Sequence, residues 1–247
     1  MSELKFPTEM VDLPSKGLFY PESHPLASGK VEMKYMTAKE EDILTNKSYI
    51  EKGTVIDKLL QSLLITQFDY NDLLLVDKNA IMIAARVLGY GKDYEFMYKG
   101  EQCTIDLSIL EPNLIDEKLW EKGNNEFSYT LPTTGHILTF KLLTHGDEKK
   151  ISDEIKGLQK IYKDTNPELT TRLKHIISSV DGDVESRTIR QFVDNNLLAR
   201  DARSFREYIR SVTPEIEIKF DYEGSNGVEE GATVPIGLNF FWPDAAI

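Results

Sequence analysis

Residues 31–44 read VEMKYMTAKEEDIL, and within this stretch the pattern changes from strand to helix. The first residues alternate between apolar and polar side chains, which predicts a short strand. Thr37 stands at the expected helix start, and Glu40 follows three positions later as in a capping box, where the carboxylate reaches back to the backbone N–H of the cap. The stretch therefore predicts a compact strand-to-helix unit.

A similar unit stands in the second part of the chain. Residues 138–144, LTFKLLT, resemble residues 31–37, VEMKYMT, and in each segment a predicted strand ends at a threonine, Thr37 or Thr144, that opens an acidic helix. Several helices and then a hairpin follow each unit. We therefore predict an α+β protein of two related, duplicated halves, each with a small antiparallel sheet and a group of helices. Convergent capping is the alternative, because threonine before an acidic turn is common.

The predicted boundaries divide the chain into residues 1–30, 31–125 and 126–247. Four prolines exclude a helix from residues 1–30, and the apolar residues there are too many for a free tail. This segment is predicted to be an extended arm, packed either on its own domain or on a partner. Residues 111–125, rich in Pro, Gly and Asn, form the expected boundary between the halves.

Periodicity predicts the remaining elements. An apolar helical stripe begins near Gly53, and a helix that is apolar on nearly all sides is expected to be buried. The second half is predicted to hold four helices, one of which runs through Ile177 and Val180. The other predicted elements are a connector containing Leu73–Val76, a helix at 79–88, hairpins at 94–107 and 215–238, and strands at 126–131 and 137–143.

Composition restricts the class of protein. The chain has 247 residues, of which 40% are hydrophobic and 28% charged, as in globular proteins. Its net charge of −12 repels phosphate backbones, so no nucleic-acid partner is expected. No apolar run reaches the roughly 20 residues that span a bilayer, and no secretory signal is expected. Cys103 is the one cysteine, which suits a reducing cytoplasm.

Catalytic chemistry finds little support in the sequence. The four histidines lack the i, i+4 spacing of a metal site, and the chain has no C-x-x-C pair. Ser15 lacks the G-x-S-x-G elbow of a nucleophile. We therefore predict no catalytic, cofactor-binding or metal-binding residue and no small-molecule substrate. A remote alternative is a hydrolase that uses the carboxylates of residues 40–42, although capping explains them better.

Two apolar segments are candidates for binding a partner protein. Three large aromatic residues stand in a row near the end of the chain, and on a strand at least one of them would be exposed because neighbours alternate sides. Exposed aromatic residues are typical of binding hot spots. The alternative is that they pack on the chain's own core. The candidate residues are Leu13, Pro14, Lys16, Leu18, Phe19 and Tyr20 in the arm, and Phe240, Phe241 and Trp242 near the end.

A run of motifs in order resembles the baseplate hub assembly proteins of T-even-type contractile-tailed bacteriophages. The resemblance extends from the arm to the last residues, and it depends on the order of the motifs more than on any one of them. The motifs are LPSKGLFY at 13–20, YMTAKEEDIL at 35–44, GTVIDKLL at 53–60, AARVLGYG at 84–91 and FFWP at 240–243.

This resemblance implies a non-enzymatic assembly factor for the central hub of a phage tail baseplate, acting on other hub proteins in the cytoplasm of the infected cell. The alternative within the same family is a permanent hub subunit in the virion. Members of the family often carry C-x-x-C pairs at the hairpin tips, where this chain has GEQC at 100–103 and YEGS at 222–225. The resemblance thus implies that any metal has been lost and that packing alone holds the hairpins.

Overall fold

A computed structural model describes residues 7–113, 115–161, 166–224 and 227–241. These residues form an α+β fold, as predicted. The strands are β1 (Thr8–Asp12), β2 (Lys30–Lys34), β3 (Asp93–Tyr98), β4 (Glu101–Asp106), β5 (Phe127–Thr130), β6 (Ile137–Phe140), β7 (Ile177–Val180), β8 (Lys219–Gly224) and β9 (Gly227–Thr233). The helices are α1 (Ala38–Leu44), α2 (Lys47–Glu51), α3 (Val55–Leu63), α4 (Leu75–Tyr90), α5 (His145–Ile161), α6 (Glu168–Ile176), α7 (Ser186–Asn195), α8 (Ala199–Val212) and α9 (Leu238–Phe241).

Both halves follow one order of elements. Each begins with an antiparallel strand pair, β1–β2 in the first half and β5–β6 in the second. Helices follow, and each half finishes with a hairpin, β3–β4 or β8–β9. In the second half β7 adds a third strand on the other side of β6. This common order supports the prediction of two related halves.

Residues 7–30 are built into the first half. β1 pairs with β2 along its whole length, with Val11 opposite Val31. Leu13, Phe19 and Tyr20 are buried in the core that the helices share. Of the two alternatives for the arm, the described residues from 7 to 30 therefore pack on their own domain, and the expected boundary at residue 30 does not separate a folded unit.

Several predicted elements differ from the structure, and the second hairpin is shorter than expected, because β8 begins at Lys219 and Leu238 already belongs to α9. The helix expected to include Ile177 and Val180 ends at Ile176, and the next four residues form β7 beside β6. Short apolar runs fit either a strand or a helix, and β-branched residues favour the strand. The expected connector at 73–76 also differs, since α4 already begins at Leu75.

The two terminal hairpins pack against each other through aromatic rings. The ring centroid of Phe220 lies 4.9 Å from that of Phe96 and 5.2 Å from that of Tyr98, both in edge-to-face geometry. Tyr94 on the first hairpin also contacts Phe240 of α9, with a centroid distance of 4.8 Å. These contacts tie the end of one half to the end of the other.

None of the helices in the described part of the chain combines the length and apolar character that a membrane span requires.

Candidate protein-binding site

The first predicted cap has the expected geometry. The backbone N–H and the hydroxyl of Thr37 donate to the Glu40 carboxylate at 3.0 and 2.6 Å. The ammonium of Lys34 donates to the other oxygen of that carboxylate at 2.7 Å. Burial alone would raise the pKa of Glu40, but the bonds from Lys34 and Thr37 outweigh it and hold the pKa below its usual range. The predicted capping box at Thr37 and Glu40 is confirmed.

The second half repeats this arrangement at the same spacing. The backbone N–H and the hydroxyl of Thr144 both donate to Asp147 at 3.2 Å. Lys141, three positions before the threonine, donates to the same carboxylate at 2.8 Å. The Thr144 hydroxyl also accepts from the backbone N–H of Asp147, which confirms Thr144 as a helix cap. The pattern K-x-x-T-x-x-[E/D] thus produces in each half one cap and one ion pair with a buried carboxylate.

A buried aspartate binds the loop that connects the first two strands of the first half. Asp77, the third residue of α4, is fully buried. Its carboxylate accepts hydrogen bonds from the Ser15 backbone N–H at 3.0 Å, the Ser15 hydroxyl at 2.7 Å and the Tyr20 hydroxyl at 2.7 Å. We call this contact the first latch. It fastens the loop between β1 and β2 to the start of α4.

An equivalent latch stands in the second half. Asp201, the third residue of α8, is also fully buried. Its carboxylate accepts from the backbone N–H groups of Thr133 and Thr134 at 2.9 and 3.2 Å and from the Thr134 hydroxyl at 2.9 Å. These donors lie in the loop between β5 and β6. Sequence reasoning missed both latches.

A sequence signal for the latches is nevertheless present. The loops read LPSKG at 13–17 and LPTTG at 131–135, and the helix starts read NDLLLVD at 71–77 and NNLLARD at 195–201. In each loop the final glycine has a left-handed backbone, with φ of 74° at Gly17 and 76° at Gly135. These pairs of segments align the two halves residue by residue.

The halves meet at what we call the inner joint, the contact of residues 71–75 with residues 143–146. The Leu75 N–H donates to the Leu143 carbonyl at 3.0 Å, and the His145 N–H donates to the Leu73 carbonyl at 2.7 Å. Leu74 and Thr144 therefore lie directly opposite each other as an antiparallel bridge. Covered by the second half, Leu74 is only 2% exposed.

Close approach at the inner joint depends on Gly146. A Cβ atom at this position would lie 3.1 Å from both the Cβ and the carbonyl oxygen of Asn71. Next to the glycine, the His145 ring stacks edge-on against Tyr70 at 4.7 Å between centroids. The Lys78 ammonium lies 3.3 Å from the same imidazole. The inner joint is thus a strand addition reinforced by side chains.

The aligned segment of the second half, residues 195–199, forms no such bridge with any residue that the structure describes, and we call it the open edge. Leu198 corresponds to Leu74, yet its side chain is 47% exposed. Among the described residues, no backbone group bonds to the Leu197 carbonyl or to the Ala199 N–H, the groups that match those of Leu73 and Leu75. In the described part of the chain, the open edge therefore presents an exposed apolar side chain between a carbonyl and an N–H that have no backbone partner.

The candidate residues of the arm serve the fold in most cases. Leu13, Pro14, Phe19 and Tyr20 are buried and Leu18 is half-buried. Of the six, only Lys16 is exposed, and it forms an ion pair with Glu117 on the surface. The buried side chains are engaged in intramolecular contacts, for example Phe19 against Trp120 at 4.8 Å between ring centroids.

Two of the three aromatic residues near the end of the chain lie in a helix instead of the strand on which the expected exposure depended. Phe240 and Phe241 belong to α9 and both are buried. Consecutive residues of a helix lie about 100° apart, so two neighbours can face one core, whereas on a strand they would point to opposite sides. Trp242 lies outside the described residues.

The carboxylates of residues 40–42 do not form a catalytic pair. Glu40 caps α1, as described above. Glu41 accepts a hydrogen bond from the Tyr90 hydroxyl at 3.0 Å, and Asp42 is exposed. This arrangement gives no support to the hydrolase alternative. Within the described ranges, no group of three or more His, Cys, Asp or Glu residues is placed to hold a metal ion.

The hairpin tips meet without the cysteine pairs that the resemblance implied for the family. Cys103 is a free, partly buried thiol on β4, and Ser225 lies outside the described residues. Besides the aromatic contacts, the Lys99 ammonium pairs with Glu229 across the tips at 2.6 Å. An ion pair thus accompanies the packing that was expected to hold the hairpins.

Comparison of the chain with family models, with curated proteins and with solved structures gave no match.

Proposed function

We propose that the chain is a non-enzymatic assembly factor for the central hub of a phage tail baseplate. It binds other hub proteins in the cytoplasm of the infected cell and takes part in no chemical reaction. The ordered motifs described above, beginning with LPSKGLFY at 13–20, support the assignment to the baseplate hub. The geometry of the second half supports the proposed mode of action.

The open edge is the observation that carries the proposal. At the inner joint the same local structure binds a polypeptide by backbone pairing and covers an apolar side chain. Strand addition of this kind obtains affinity from main-chain hydrogen bonds and specificity from alternate side chains. A second, uncovered example on the same chain supports a role in binding protein.

The motifs that carry the resemblance have a structural role that is consistent with the proposal. LPSKGLFY supplies the donors of the first latch, Ser15 and Tyr20. AARVLGYG at 84–91 supplies Arg86, whose guanidinium donates to the carbonyls of Gly91 and Asp93 at 2.9 and 3.1 Å and so closes the end of α4. Proteins that share these motifs are expected to share the fold, and with it the edge at the start of α8.

Affinity capture from phage-infected cells tests the proposal. We expect the tagged chain to retain hub proteins, identified by mass spectrometry, and Leu198→Asp to reduce their yield at least tenfold. Leu169→Asp is the matched control, because Leu169 is 49% exposed on another helix of the same half. Recovery of no hub protein by the unaltered chain would refute the proposal.

The permanent-subunit alternative predicts a different composition of the finished particle. An assembly factor leaves after the hub has formed, whereas a subunit remains. Mass spectrometry of purified virions therefore distinguishes them: we expect this chain to be absent from the particles.

A further inference from the structure

We propose that the open edge of one chain binds residues 36–39 of a second copy, which gives a head-to-tail assembly. This assembly rests on the proposal that the open edge binds protein, and it names the segment that binds in the isolated protein. It follows from the internal alignment: the inner joint pairs residues 71–75 with residues 143–146, and residues 36–39 are the counterpart of 143–146.

The backbone of the second copy offers the required groups. Met36 corresponds to Leu143, whose carbonyl accepts at the inner joint, and Ala38 corresponds to His145, whose N–H donates there. Among the described residues, no backbone group bonds to the Met36 carbonyl or to the Ala38 N–H. Thr37 would then lie opposite Leu198, as Thr144 lies opposite Leu74. As far as the structure describes the chain, both segments thus have one donor and one acceptor without a backbone partner.

The side chains at the two ends are compatible with each other. At the inner joint His145 faces Lys78. The corresponding residues of the proposed contact are Ala38 and Ala202, which are small and uncharged. Pairing two alanines removes the imidazole and the ammonium together, so neither polar group is left without its partner. The proposed contact is therefore a simpler form of the inner joint.

Lys39 modifies the fit, because it stands where the inner joint has Gly146. Its counterpart across the contact is the region of Asn195 and Asp194, which correspond to Asn71 and Tyr70. The additional Cβ makes the approach tighter than at the inner joint, and the carboxylate of Asp194 already pairs with the ammonium of Lys174 at 2.7 Å. We therefore expect an association weaker than the inner joint.

Head-to-tail contact uses two different surfaces of each chain. Such heterologous contacts close into a ring if the rotation between copies allows it, and otherwise continue as a filament. A filament keeps one unoccupied open edge, on its last copy, whereas a closed ring has none. Each such contact occupies an open edge, so a hub protein that binds this edge displaces the second copy.

A mixed disulfide tests the inference with purified protein and no hub component. In a Cys103→Ser background, Thr37→Cys and Leu198→Cys are made in separate chains. Residues directly opposite at such an antiparallel bridge have Cα atoms about 4.5 Å apart, which a disulfide can join. We expect a covalent dimer after mild oxidation of the mixture. Its yield should be at least tenfold higher than with either variant alone and than with a mixture of Thr37→Cys and Leu169→Cys.

Sedimentation of the unaltered chain gives a second measurement that needs no new cysteine. We expect the mean mass to rise with concentration and Leu198→Asp to remove that rise, while Leu169→Asp leaves it in place. A chain that stays monomeric and gives no selective mixed disulfide overturns the inference, and the occupant of the open edge is then a foreign segment. Hub capture from infected cells is scored separately, so either proposal can fail without the other.

Discussion

Asp77 and Asp201 occupy the same place in the two halves, since each is the buried third residue of a helix. The carboxylate of each accepts three hydrogen bonds from a loop that reads L-P-[S/T]-x-G or from the residues just after it. Each latch fixes the first strand pair of its half to its last long helix. In the first half the start of that helix pairs with residues 143–146 at the inner joint, and in the second half it forms the open edge. The latches therefore hold these two helix starts in position.

Removal of the Asp77 carboxylate should be costly. Asp77→Ala leaves the N–H and hydroxyl of Ser15 and the hydroxyl of Tyr20 buried without an acceptor, and we expect a loss of about 3 kcal/mol in the free energy of unfolding. Urea denaturation measures it. Asp42→Ala, at an exposed acid, is the control and should stay within about 0.5 kcal/mol. Equal effects at the two positions would contradict the role of the latch.

Two glycines of α5 should respond differently to alanine. A methyl group at Gly157 would meet no atom within 4 Å, so Gly157→Ala should stabilise the helix by about 1 kcal/mol. Gly146→Ala places its methyl group against the backbone of Asn71. Its effect on the free energy of unfolding should therefore be less favourable than that of Gly157→Ala by at least about 1 kcal/mol. Thermal and urea unfolding of the two variants test the fit of the inner joint, and identical stabilisation would show that the joint tolerates a side chain.

An ion-pair cluster between three helices predicts a pH dependence. Arg190 donates to both oxygens of Glu154 at 2.6 and 2.8 Å, and the His175 ring lies 2.9 Å away. The bonds from Arg190 lower the pKa of Glu154 from 4.5 to about 2. A lowered pKa means that the stabilisation is complete above about pH 4.5 and is lost as the pH falls through about 2.

Glu154→Gln tests this linkage. We expect the variant to be less stable than the unaltered chain at pH 7 and the difference in unfolding free energy to shrink steadily below pH 4.5. Guanidinium would screen the ion pair, so urea is the suitable denaturant. A difference that stays constant down to about pH 2.5 would show that Glu154 does not titrate as described.

The contact between the two hairpins should depend on aromatic packing. Phe96 is buried and its ring meets Phe220 edge-to-face. Phe96→Ala should cost about 3 kcal/mol of stability. Met97 follows it on the same strand but is 62% exposed, so Met97→Ala should change stability by less than about 0.5 kcal/mol.

A chelator should leave the melting temperature of the chain unchanged. A fall in the melting temperature on its addition would show a metal contribution to stability.

Local sequence chemistry predicted the caps and the class of fold. The threonine and acid at positions 37 and 40 satisfy each other within one helical turn, so their geometry follows from spacing alone. The hairpin at 94–107 and the helix at 79–88 were likewise placed by short-range periodicity, with shifts only at their ends.

Long-range contacts could not be predicted in the same way. Ser15 and Asp77 are 62 residues apart, and neither has a local feature that reveals the other. Burial of Phe240 and Phe241 depended on a short helix where a strand was expected. The open edge emerges only when NNLLARD at 195–201 is aligned with NDLLLVD at 71–77 and the exposure of Leu198 is compared with that of Leu74.

Amide hydrogen exchange across the open edge tests the central claim most directly. The amide of Ala199, which has no backbone partner among the described residues, is compared in the dilute isolated chain and in the complex captured from infected cells, with the amide of Leu75 as the internal reference. We predict fast exchange of the Ala199 amide in the dilute chain, strong protection of it in the complex, and protection of the Leu75 amide in both. Exchange at Ala199 that is equally fast in the complex would contradict the claim that this edge binds protein.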